Sequence, residues 1–404
     1  MDPLDILTNK EHILPYFQPI FSADEHRVAG YEVLGRIQDG DHIRSLGPFF
    51  HDESIPEEYR LEIDDLVLHM ALDRLLEDED NSLIVFINRD ANLLMPDRGE
   101  SLLSILLSYR ERGLSLNRVV IEVSEHDFTG DIETLNHLFT YFRTYGIQLA
   151  VDNVGKDGSN LDRLRLLQPD IFKVDLRMLK KTSDARTYQD VLYSLSMLAR
   201  KIGAALMYED IEAEFQLQYA WRHGGRYYQG YYLGEPGPDF IEATCQQTEI
   251  RQSFDRFISR EKNKLQAQYI VANQFAEKLQ PVCAKFKTRD FDGLIEQAAK
   301  VLHSESFRIY ICDEHGFQQS SNIFKRDGEW QLQPDYLQKN WSWRPYFLEN
   351  IVRMNFEKRG ILSDVYSDIE TGETIRTYSY PLEGNYYLFI DIAYDFLFER
   401  DELL

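Results

Sequence analysis

Short apolar runs alternate with amphipathic segments through the first 238 residues. The apolar runs have the length of buried strands, whereas the segments between them place apolar residues three and four positions apart, as helices do. The predicted strands are Tyr16–Phe21, Val28–Gly35, Leu83–Asn88, Val119–Ser124, Ile147–Asn153, Ile171–Asp175, Ala204–Glu209 and Tyr227–Leu233. The predicted helices include Glu58–Leu76, Leu102–Arg112, Ile132–Tyr145, Tyr188–Lys201 and Glu212–Trp221. Eight strands with crossover helices predict an α/β fold of the (β/α)8 barrel type over residues 1–238.

The first two predicted strands are separated only by Ser22–Arg27. A connection this short makes a hairpin, whereas parallel neighbours need a crossover of a dozen or more residues. We therefore expect one antiparallel strand and a modified barrel.

Residues 239–289 have a different character. No Gly or Pro occurs from Asp239 to Gln280, and apolar residues recur at helical spacing, which predicts a long connector helix that Pro281 stops or kinks. The pattern is not a clean heptad, so the helix either packs on its own domains or pairs with a second copy.

Residues 290–404 form the third predicted domain. Strand-like runs at Phe307–Cys312, Gly360–Tyr366, Glu373–Tyr380 and Tyr386–Asp391 follow helical segments. This order predicts a small α+β domain with an antiparallel sheet.

The formal net charge of −24 excludes several classes of partner. A polymeric nucleic acid or an anionic membrane is bound through clustered Lys and Arg, so neither is expected. No apolar run approaches the roughly 20 residues of a membrane span. The N-terminus carries acids where a signal peptide needs bases, and the three widely spaced cysteines suggest free thiols, so we expect a cytoplasmic protein.

Polar residues follow nearly every predicted barrel strand. They are Glu32, Arg36, Asn88, Glu122, Glu125, Asp152, Asn153, Lys173, Asp175, Glu209, Glu212 and Gln229. The carboxyl ends of barrel strands meet at one rim, so these groups would face one another. One such acid is usually a helix cap, but so many facing carboxylates need a shared cation. Carboxylate and amide oxygens suit Mg²⁺, Mn²⁺ or Ca²⁺.

The strings YFQPI, YEVLGR, FIN, IEVSE, VDNVG, FKVD, YEDIE and YYQGYYLGEP occur in this order. Together they resemble the EAL-domain family of cyclic-di-GMP phosphodiesterases over about residues 10–240. The whole chain resembles the YkuI type of that family, whose C-terminal part is similar to a PAS- or Cache-like sensory fold. The resemblance implies cyclic-di-GMP as the ligand, a divalent metal as the cofactor, and a homodimer.

The resemblance also implies roles for individual residues. Glu32, Asn88, Glu122 and Asp152 match metal ligands. Lys173 matches the lysine that holds the attacking water, and Glu209 matches a general base or a residue that supports the metal. Gln18, Glu32, Leu34, Arg36, Asp175 and Gln229 match positions around the ligand. Glu125, Asn153 and Glu212 match supporting positions.

One loop departs from the family pattern. Where active members carry Asp-Asp-Phe-Gly-Thr-Gly, this chain has Asp152-Asn-Val-Gly-Lys-Asp157. Asn153 replaces the Asp that matches a ligand of the second metal, and a neutral amide binds a dication more weakly. We therefore favour a cyclic-di-GMP binding protein with weak or absent hydrolysis. The alternatives are an active phosphodiesterase that makes linear pGpG under control of the C-terminal domain, and a scaffold that has lost ligand binding.

In the C-terminal domain, Arg344, Tyr366 and Arg376 stand in strings that resemble the pocket edges of Cache-like sensors. They could bind a carboxylate ligand, or they could belong to an aromatic core with a structural ion pair. The sequence does not name that ligand.

Overall fold

The structure of the chain is a computed structural model. It describes residues 3–78, 81–124, 126–152, 154, 161–177, 179, 185–285, 290–344 and 347–403. Its contacts divide the chain into two compact units, Met1–Arg256 and Phe257–Leu404.

The first unit contains nine strands and nine helices within the described ranges. The strands are β1 (Ile13–Ser22), β2 (Val28–Asp39), β3 (His42–Ser45), β4 (Ile84–Asn88), β5 (Val119–Ser124), β6 (Gln148–Asp152), β7 (Ile171–Asp175), β8 (Ala205–Glu209) and β9 (Gly225–Tyr228). The helices are α1 (Pro3–Thr8), α2 (Gly47–Phe50), α3 (Glu57–Leu76), α4 (Ala91–Leu94), α5 (Glu100–Glu111), α6 (Ile132–Arg143), α7 (Leu161–Leu167), α8 (Ala185–Ile202) and α9 (Glu214–Arg222).

Eight of these strands close into a barrel. They pair in the order β1-β9-β8-β7-β6-β5-β4-β2, and β1 also pairs with β2, which completes the ring. β1 runs antiparallel to both of its neighbours, whereas the other neighbours in the ring are parallel. The predicted modified (β/α)8 barrel with one antiparallel strand is confirmed.

An apolar layer fills the barrel interior. It is formed by Ile20, Phe86, Val120, Ala150, Ile171 and Met207, one from each of six strands. Side chains two residues apart on a strand point to the same face, so the residue two positions further toward the rim also points inward. The layer thus aims the polar residues described below into the barrel mouth. On β2 the equivalent position is Gly30, where an added Cβ would lie 2.2 Å from the carbonyl oxygen of Ile84.

Two details of the barrel differ from the sequence prediction. β9 ends at Tyr228 rather than at Leu233, because Gly230 has a φ of 151° and the Leu233 amide donates to the Gly230 carbonyl in a tight turn. β3 was not predicted. It is a short exposed strand that pairs only with the end of β2 and lacks an apolar pattern.

The long helix predicted between the domains is α10 (Gln247–Lys285). It begins at Gln247 rather than near Asp239, and it continues past Pro281 to Lys285, so the proline does not end it. Proline removes one backbone donor from the helix. Phe275 and Leu279, on the preceding turns, are buried in the core of the second unit and hold the helix there.

The second unit is built on an antiparallel sheet. Its strands are β10 (Ser306–Asp313), β11 (Asn322–Arg326), β12 (Glu329–Gln333), β13 (Ile361–Leu362), β14 (Tyr366–Ser367), β15 (Thr374–Ile375), β16 (Thr377–Pro381) and β17 (Tyr386–Ile392). Its further helices are α11 (Phe291–Val301), α12 (Phe347–Glu357) and α13 (Tyr394–Phe398). Six strands pair in the order β12-β11-β10-β17-β16-β13, and β14 pairs with β15 separately.

Each face of this sheet has its own core. On β10, Ile309 and Ile311 face a cluster with α10 and α11, whereas Tyr310 and Cys312 face α12. The predicted α+β character is therefore confirmed. The predicted strands 360–366 and 373–380 are each broken into two short pieces. No described helix in either unit has both the length and the apolar character needed to cross a membrane.

Candidate functional site

The polar side chains at the barrel mouth come from seven different strands or strand ends. Asn88, Asp152 and Glu209 are the last residues of β4, β6 and β8. Glu32 and Glu122 lie on β2 and β5, Lys173 lies on β7, and Gln229 follows β9 directly. Each of these residues is two positions beyond an inward-facing residue on its strand, such as Val120 before Glu122 or Ile171 before Lys173. The strand pleat therefore brings these predicted site residues together.

Lys173 lies at the centre of the cluster. Its side chain is 1% exposed, and Nζ lies 3.0 Å from Glu122, 3.1 Å from Glu32 and 3.2 Å from Glu209. A fourth carboxylate, that of Asp152, is 4.0 Å from Nζ. A buried ammonium is costly unless it is paired, and here four carboxylates face it.

Glu32 connects the lysine to the amides around it. The Nδ2 group of Asn88 donates to Oε1 of Glu32 at 2.9 Å, and Nε2 of Gln229 donates to Oε2 at 2.8 Å. The same Gln229 nitrogen lies 3.1 Å from Oε1 of Gln18, a residue of the antiparallel strand β1. The hairpin β1–β2 thus contributes two polar groups to the site.

The carboxylates differ in their electrostatic environment. Burial raises the pKa of Glu122 and Glu209 well above the usual value, and the neighbouring carboxylates add to this effect while Lys173 opposes it. Burial acts in the same direction on Glu32, but Lys173 and hydrogen bonds from the two amides outweigh it, so the pKa of Glu32 is lowered.

The lysine responds in the opposite way. Burial alone would lower the pKa of Lys173, but Glu122, Glu209 and Glu32 together raise it well above its usual value. Lys173 is therefore protonated, but one ammonium cannot neutralise four ionised carboxylates, and the raised pKa of Glu122 and Glu209 reflects this imbalance. A divalent cation would favour the ionised form of all four.

The donor set fits a hard divalent cation. Oε1 of Glu122 is buried and has no hydrogen-bond partner among the described residues. Oxygen donors are also available from Glu32, Asp152 and Asn88. For Asn88, the amide group would have to rotate by 180° so that Oδ1 rather than Nδ2 faces the cation. Within the described ranges, no three His, Cys, Asp or Glu side chains are arranged to hold an ion. Coordination by the full set therefore requires these side chains to rearrange around Lys173.

A cavity of about 570 Å³ opens beside the acidic cluster. Glu32, Asn88, Glu122 and Asp152 line it together with Leu34 and Arg36. The guanidinium of Arg36 lies 5.8 Å from the centre of the Tyr16 ring and donates to the Gly35 carbonyl at 3.0 Å. The guanidinium of Arg36, the apolar side chain of Leu34 and the carboxylate cluster therefore line the same cavity.

Four predicted site residues are placed differently or are not described. Asp175 is buried, and its carboxylate accepts from the backbone amide and the guanidinium of Arg177 at 2.7 Å each. Glu212 is exposed at the start of the loop after β8, where its amide donates to Gln216 at 2.8 Å. Glu125 and Asn153 lie outside the described residues.

Two buried arginines were not predicted as part of the site. Arg60 and Arg89 both line the cavity, at 8% and 6% exposure. Arg89 is paired with Asp64 and Asp65 of α3. The available signal was the position of Arg89, directly after Asn88 at the end of a predicted strand.

The three residues proposed for a pocket in the second unit have separate contacts. Arg376 is buried and donates to the backbone carbonyls of Leu403 and Ser363 at 2.5 and 2.7 Å. The Tyr366 hydroxyl lies 2.6 Å from that of Thr377, and Arg344 lies over the Trp341 ring at 4.5 Å. The structural alternative describes Arg376 better than a carboxylate site does.

Comparison with protein families gives two matches that together span nearly the whole chain. Residues 4–236 match the EAL domain, and residues 240–404 match a domain described as an EAL-domain associated signalling protein domain. The chain is 54% identical over 407 residues to an uncharacterized EAL-domain containing protein, YkuI, of Bacillus subtilis (strain 168), with full coverage of both chains. It is 24% identical over 245 residues to the probable cyclic di-GMP phosphodiesterase PdeB of Escherichia coli (strain K12), covering 59% of this chain and 45% of PdeB.

Solved structures show the same relationship. The crystal structure of Bacillus subtilis YkuI in complex with cyclic-di-GMP and calcium matches all of this chain and all of its own, with a TM-score of 0.94 and 54% identity. An EAL-domain protein of Listeria monocytogenes matches 63% of this chain and 98% of its own with a TM-score of 0.51 and 22% identity, which shows a shared fold. The chain therefore belongs to the EAL-domain family and carries, after its barrel, the signalling domain associated with that family.

Proposed function

We propose that this protein binds cyclic-di-GMP at the barrel mouth with one divalent cation, and that it hydrolyses the ligand slowly or not at all. The observation that carries the proposal is the carboxylate cluster around Lys173 beside a 570 Å³ cavity. It is supported by the relative YkuI, 54% identical over its whole length, which was solved in complex with cyclic-di-GMP and calcium.

The residues that would hold the cation are Glu32, Asn88, Glu122 and Asp152. A divalent cation bound there would neutralise a phosphodiester oxygen and activate a water molecule. Mg²⁺, Mn²⁺ and Ca²⁺ all accept such oxygen ligands.

Other residues would bind and orient the dinucleotide. Arg36 offers a planar fork that suits a phosphate or a guanine edge. Gln18 and Gln229 are hydrogen-bonded to each other, and Gln229 also donates to Glu32. Leu34 lines the cavity and would supply an apolar contact. Lys173 would hold a water molecule, and Glu209, 3.2 Å from its Nζ, would accept the proton of that water.

The sequence of the loop after β6 is the reason to expect weak hydrolysis. Asn153 stands where the family pattern has an aspartate for the second metal, and the loop that follows lacks the Phe, Thr and second Gly of that pattern. A two-metal site stabilises the attacking and leaving oxygens together, so loss of one anionic ligand weakens catalysis more than binding.

An active phosphodiesterase remains the second candidate. The contact between Lys173 and Glu209 favours it, because both residues that the family resemblance assigns to water activation lie together here. In this case the protein would open cyclic-di-GMP to linear pGpG, and the C-terminal domain would control the rate.

Calorimetric titration and product chromatography distinguish the candidates. Cyclic-di-GMP is titrated into the protein with Ca²⁺, and a parallel reaction with Mn²⁺ is analysed for pGpG. The proposal expects binding without appreciable pGpG. Binding with pGpG at rates of active family members supports the second candidate, and absence of binding supports a scaffold.

The resemblance also led us to expect a homodimer and a small ligand or protein partner for the second unit. Both stay proposals. Sedimentation of the purified protein with and without cyclic-di-GMP tests the dimer.

A further inference from the structure

Arg89 is a buried cation at the edge of the site that none of the predicted roles uses. It is the first residue after β4, and its side chain is 3% exposed. Its guanidinium forms ion pairs with Asp64 and, at 3.2 Å, with Asp65, which are neighbours on α3. Desolvating a guanidinium is costly, so a buried arginine with two acidic partners fixes the relative position of the elements it joins.

The backbone of the same residue is tied to the site. The amide of Arg89 donates to the carbonyl of Glu122 at 2.8 Å and extends the ladder between β4 and β5 beyond the pair Asn88–Glu122. Arg89 thus has Asn88 as its chain neighbour and Glu122 as its hydrogen-bond partner. Both are proposed metal ligands.

The helix that Arg89 grips also touches the other side of the site. α3 packs against β1 and β2, the hairpin that carries Gln18 and Glu32. Asn88 and Glu32 in turn are hydrogen-bonded at 2.9 Å. A displacement of the end of β4 relative to α3 would therefore change the distances among Glu32, Asn88 and Glu122.

We propose that Arg89 is a positioning residue that clamps the carboxyl end of β4 to α3 and thereby sets Asn88 and Glu122 at the spacing that divalent-cation binding requires. The inference rests on the proposed function, because it assigns the cation to the same site. Groups that orient metal ligands commonly change metal affinity by about 10–100-fold when they are removed.

The chain supplies a matched control at the opposite end of the barrel. Arg118 is also buried, at 4% exposure, and precedes β5. It donates to the Leu83 carbonyl at 2.8 Å and pairs with Asp78 at 2.5 Å just after α3. Arg118 therefore ties the same helix to the neighbouring strand, but at the rim that carries none of the proposed site residues.

The test compares wild-type protein with Arg89→Met, Arg89→Lys and Arg118→Met, and affinities are measured at a temperature where all four are folded. Two quantities are measured: the rise in melting temperature with Ca²⁺ alone, and the affinity for cyclic-di-GMP as Ca²⁺ is varied. Both methionine variants are expected to lose stability. Arg89→Met alone is expected to need about 10–100-fold more Ca²⁺ for the same response. Arg89→Lys should lie between, because lysine keeps the charge and loses the fork.

Three outcomes overturn the inference. In the first, Arg89→Met and Arg118→Met have the same Ca²⁺ requirement. In the second, Arg89→Met weakens nucleotide binding while its response to Ca²⁺ alone stays that of the wild type, which would make Arg89 a direct ligand contact. In the third, the wild-type protein responds neither to Ca²⁺ nor to cyclic-di-GMP, which contradicts the proposed function as well.

The two proposals can also fail separately. Wild-type protein that responds to Ca²⁺ in an Arg89-dependent way but does not bind cyclic-di-GMP contradicts the proposed function and leaves the positioning role supported. If Arg89→Met does not fold, Asp64→Asn carries the test, because it removes one charge of the clamp and keeps the volume. It is expected to shift the Ca²⁺ requirement in the same direction by a smaller factor, and an unchanged requirement overturns the inference.

Discussion

Lys173 shows how much of the site depends on a single residue. Its ammonium is the cation that the described structure places among Glu32, Glu122, Asp152 and Glu209. Removal of one partner from a buried ion pair leaves an uncompensated buried charge. The resulting loss of stability is larger than the net stability that the intact pair contributes. Lys173 therefore supports the folded barrel as well as the proposed chemistry.

Lys173→Met is expected to destabilise the metal-free protein by about 3–5 kcal/mol. Burial already raises the pKa of Glu122 and Glu209, and Lys173 opposes this rise, so the pKa of both groups rises further when the lysine is removed. A carboxyl with a raised folded-state pKa contributes its stability below its unfolded pKa and loses it as the pH rises. The decrease in the free energy of unfolding caused by Lys173→Met should thus be greater at mildly alkaline than at mildly acidic pH, as measured by urea denaturation. Equal losses at both pH values would contradict this.

Asn153→Asp is the second prediction at this scale. It restores a carboxylate at the position of the second-metal ligand, so pGpG formation in Mn²⁺ is expected to rise about 10-fold or more. Asn117→Asp is the control. Asn117 is an exposed residue that precedes β5 at the opposite rim, and its substitution adds the same charge there. Product chromatography measures both. An unchanged rate in Asn153→Asp would show that the rest of the loop limits hydrolysis.

The site was more predictable than the contacts around it. Strand-end polar residues could be found from the sequence because a strand pleat has a fixed period and barrel strands share one rim. The partner of Asp175 could not, because the turn that brings Arg177 back onto it is a local backbone conformation. Arg89 was missed for a similar reason: its acidic partners Asp64 and Asp65 lie far earlier in the chain, on a helix whose orientation only the fold defines.

At the scale of elements, the strands with the strongest pattern of buried apolar residues were the ones whose bounds could be predicted from the sequence. β5 and β7 are almost entirely buried and were predicted with their observed bounds. β11 and β12 were missed, since β12 is mostly exposed and its alternation is weak. The breaks between β13 and β14 and between β15 and β16 follow from tertiary contacts of single residues, such as the two carbonyls bound by Arg376.

One polar network holds several elements of the second unit together. Arg308 of β10 lies 2.5 Å from Asp391 of β17, and 2.7 and 2.9 Å from Asp368 and Glu370 in the turn between β14 and β15. Asp391 also accepts from the Thr377 hydroxyl of β16 at 2.5 Å. The network therefore joins three strands of the sheet to a separate hairpin.

Asp391→Asn is expected to destabilise the protein by about 3 kcal/mol, because it leaves the buried guanidinium of Arg308 short of one charge. Asp395→Asn in α13 is the control, since Asp395 is exposed, and such surface changes stay within about 0.5 kcal/mol. Chemical denaturation followed by tryptophan fluorescence measures both. Similar values for the two variants would mean that the Arg308 network adds no net stability.

At the scale of the whole molecule, the net charge of −24 is unevenly distributed. Residues 1–238 carry −17, residues 239–289 carry +3 and residues 290–404 carry −10. Part of the negative charge of the first segment is concentrated at the barrel mouth, where a bound divalent cation would partly compensate it and so make room for an anionic dinucleotide. The same acidity disfavours a long polyanion as a partner.

Self-repulsion of this size predicts a salt effect. Raising NaCl from about 0.01 M to 0.1 M shortens the screening length from about 30 to 10 Å. The melting temperature should rise by about 2–4 °C, which corresponds to about 1 kcal/mol for a domain of this size. A neutral osmolyte at matched water activity serves as the control. A flat or falling melting temperature in NaCl would show that local ion pairs outweigh the net repulsion.

The antiparallel strand β1 has a practical consequence for how the molecule can be handled. Ile13, at the start of β1, pairs with Ile37 near the end of β2, so the chain enters the barrel at the rim that carries Arg36. A foreign segment fused directly before Ile13 would therefore begin at the rim that carries the proposed site. A tag at this end should therefore be cleaved before nucleotide binding is measured.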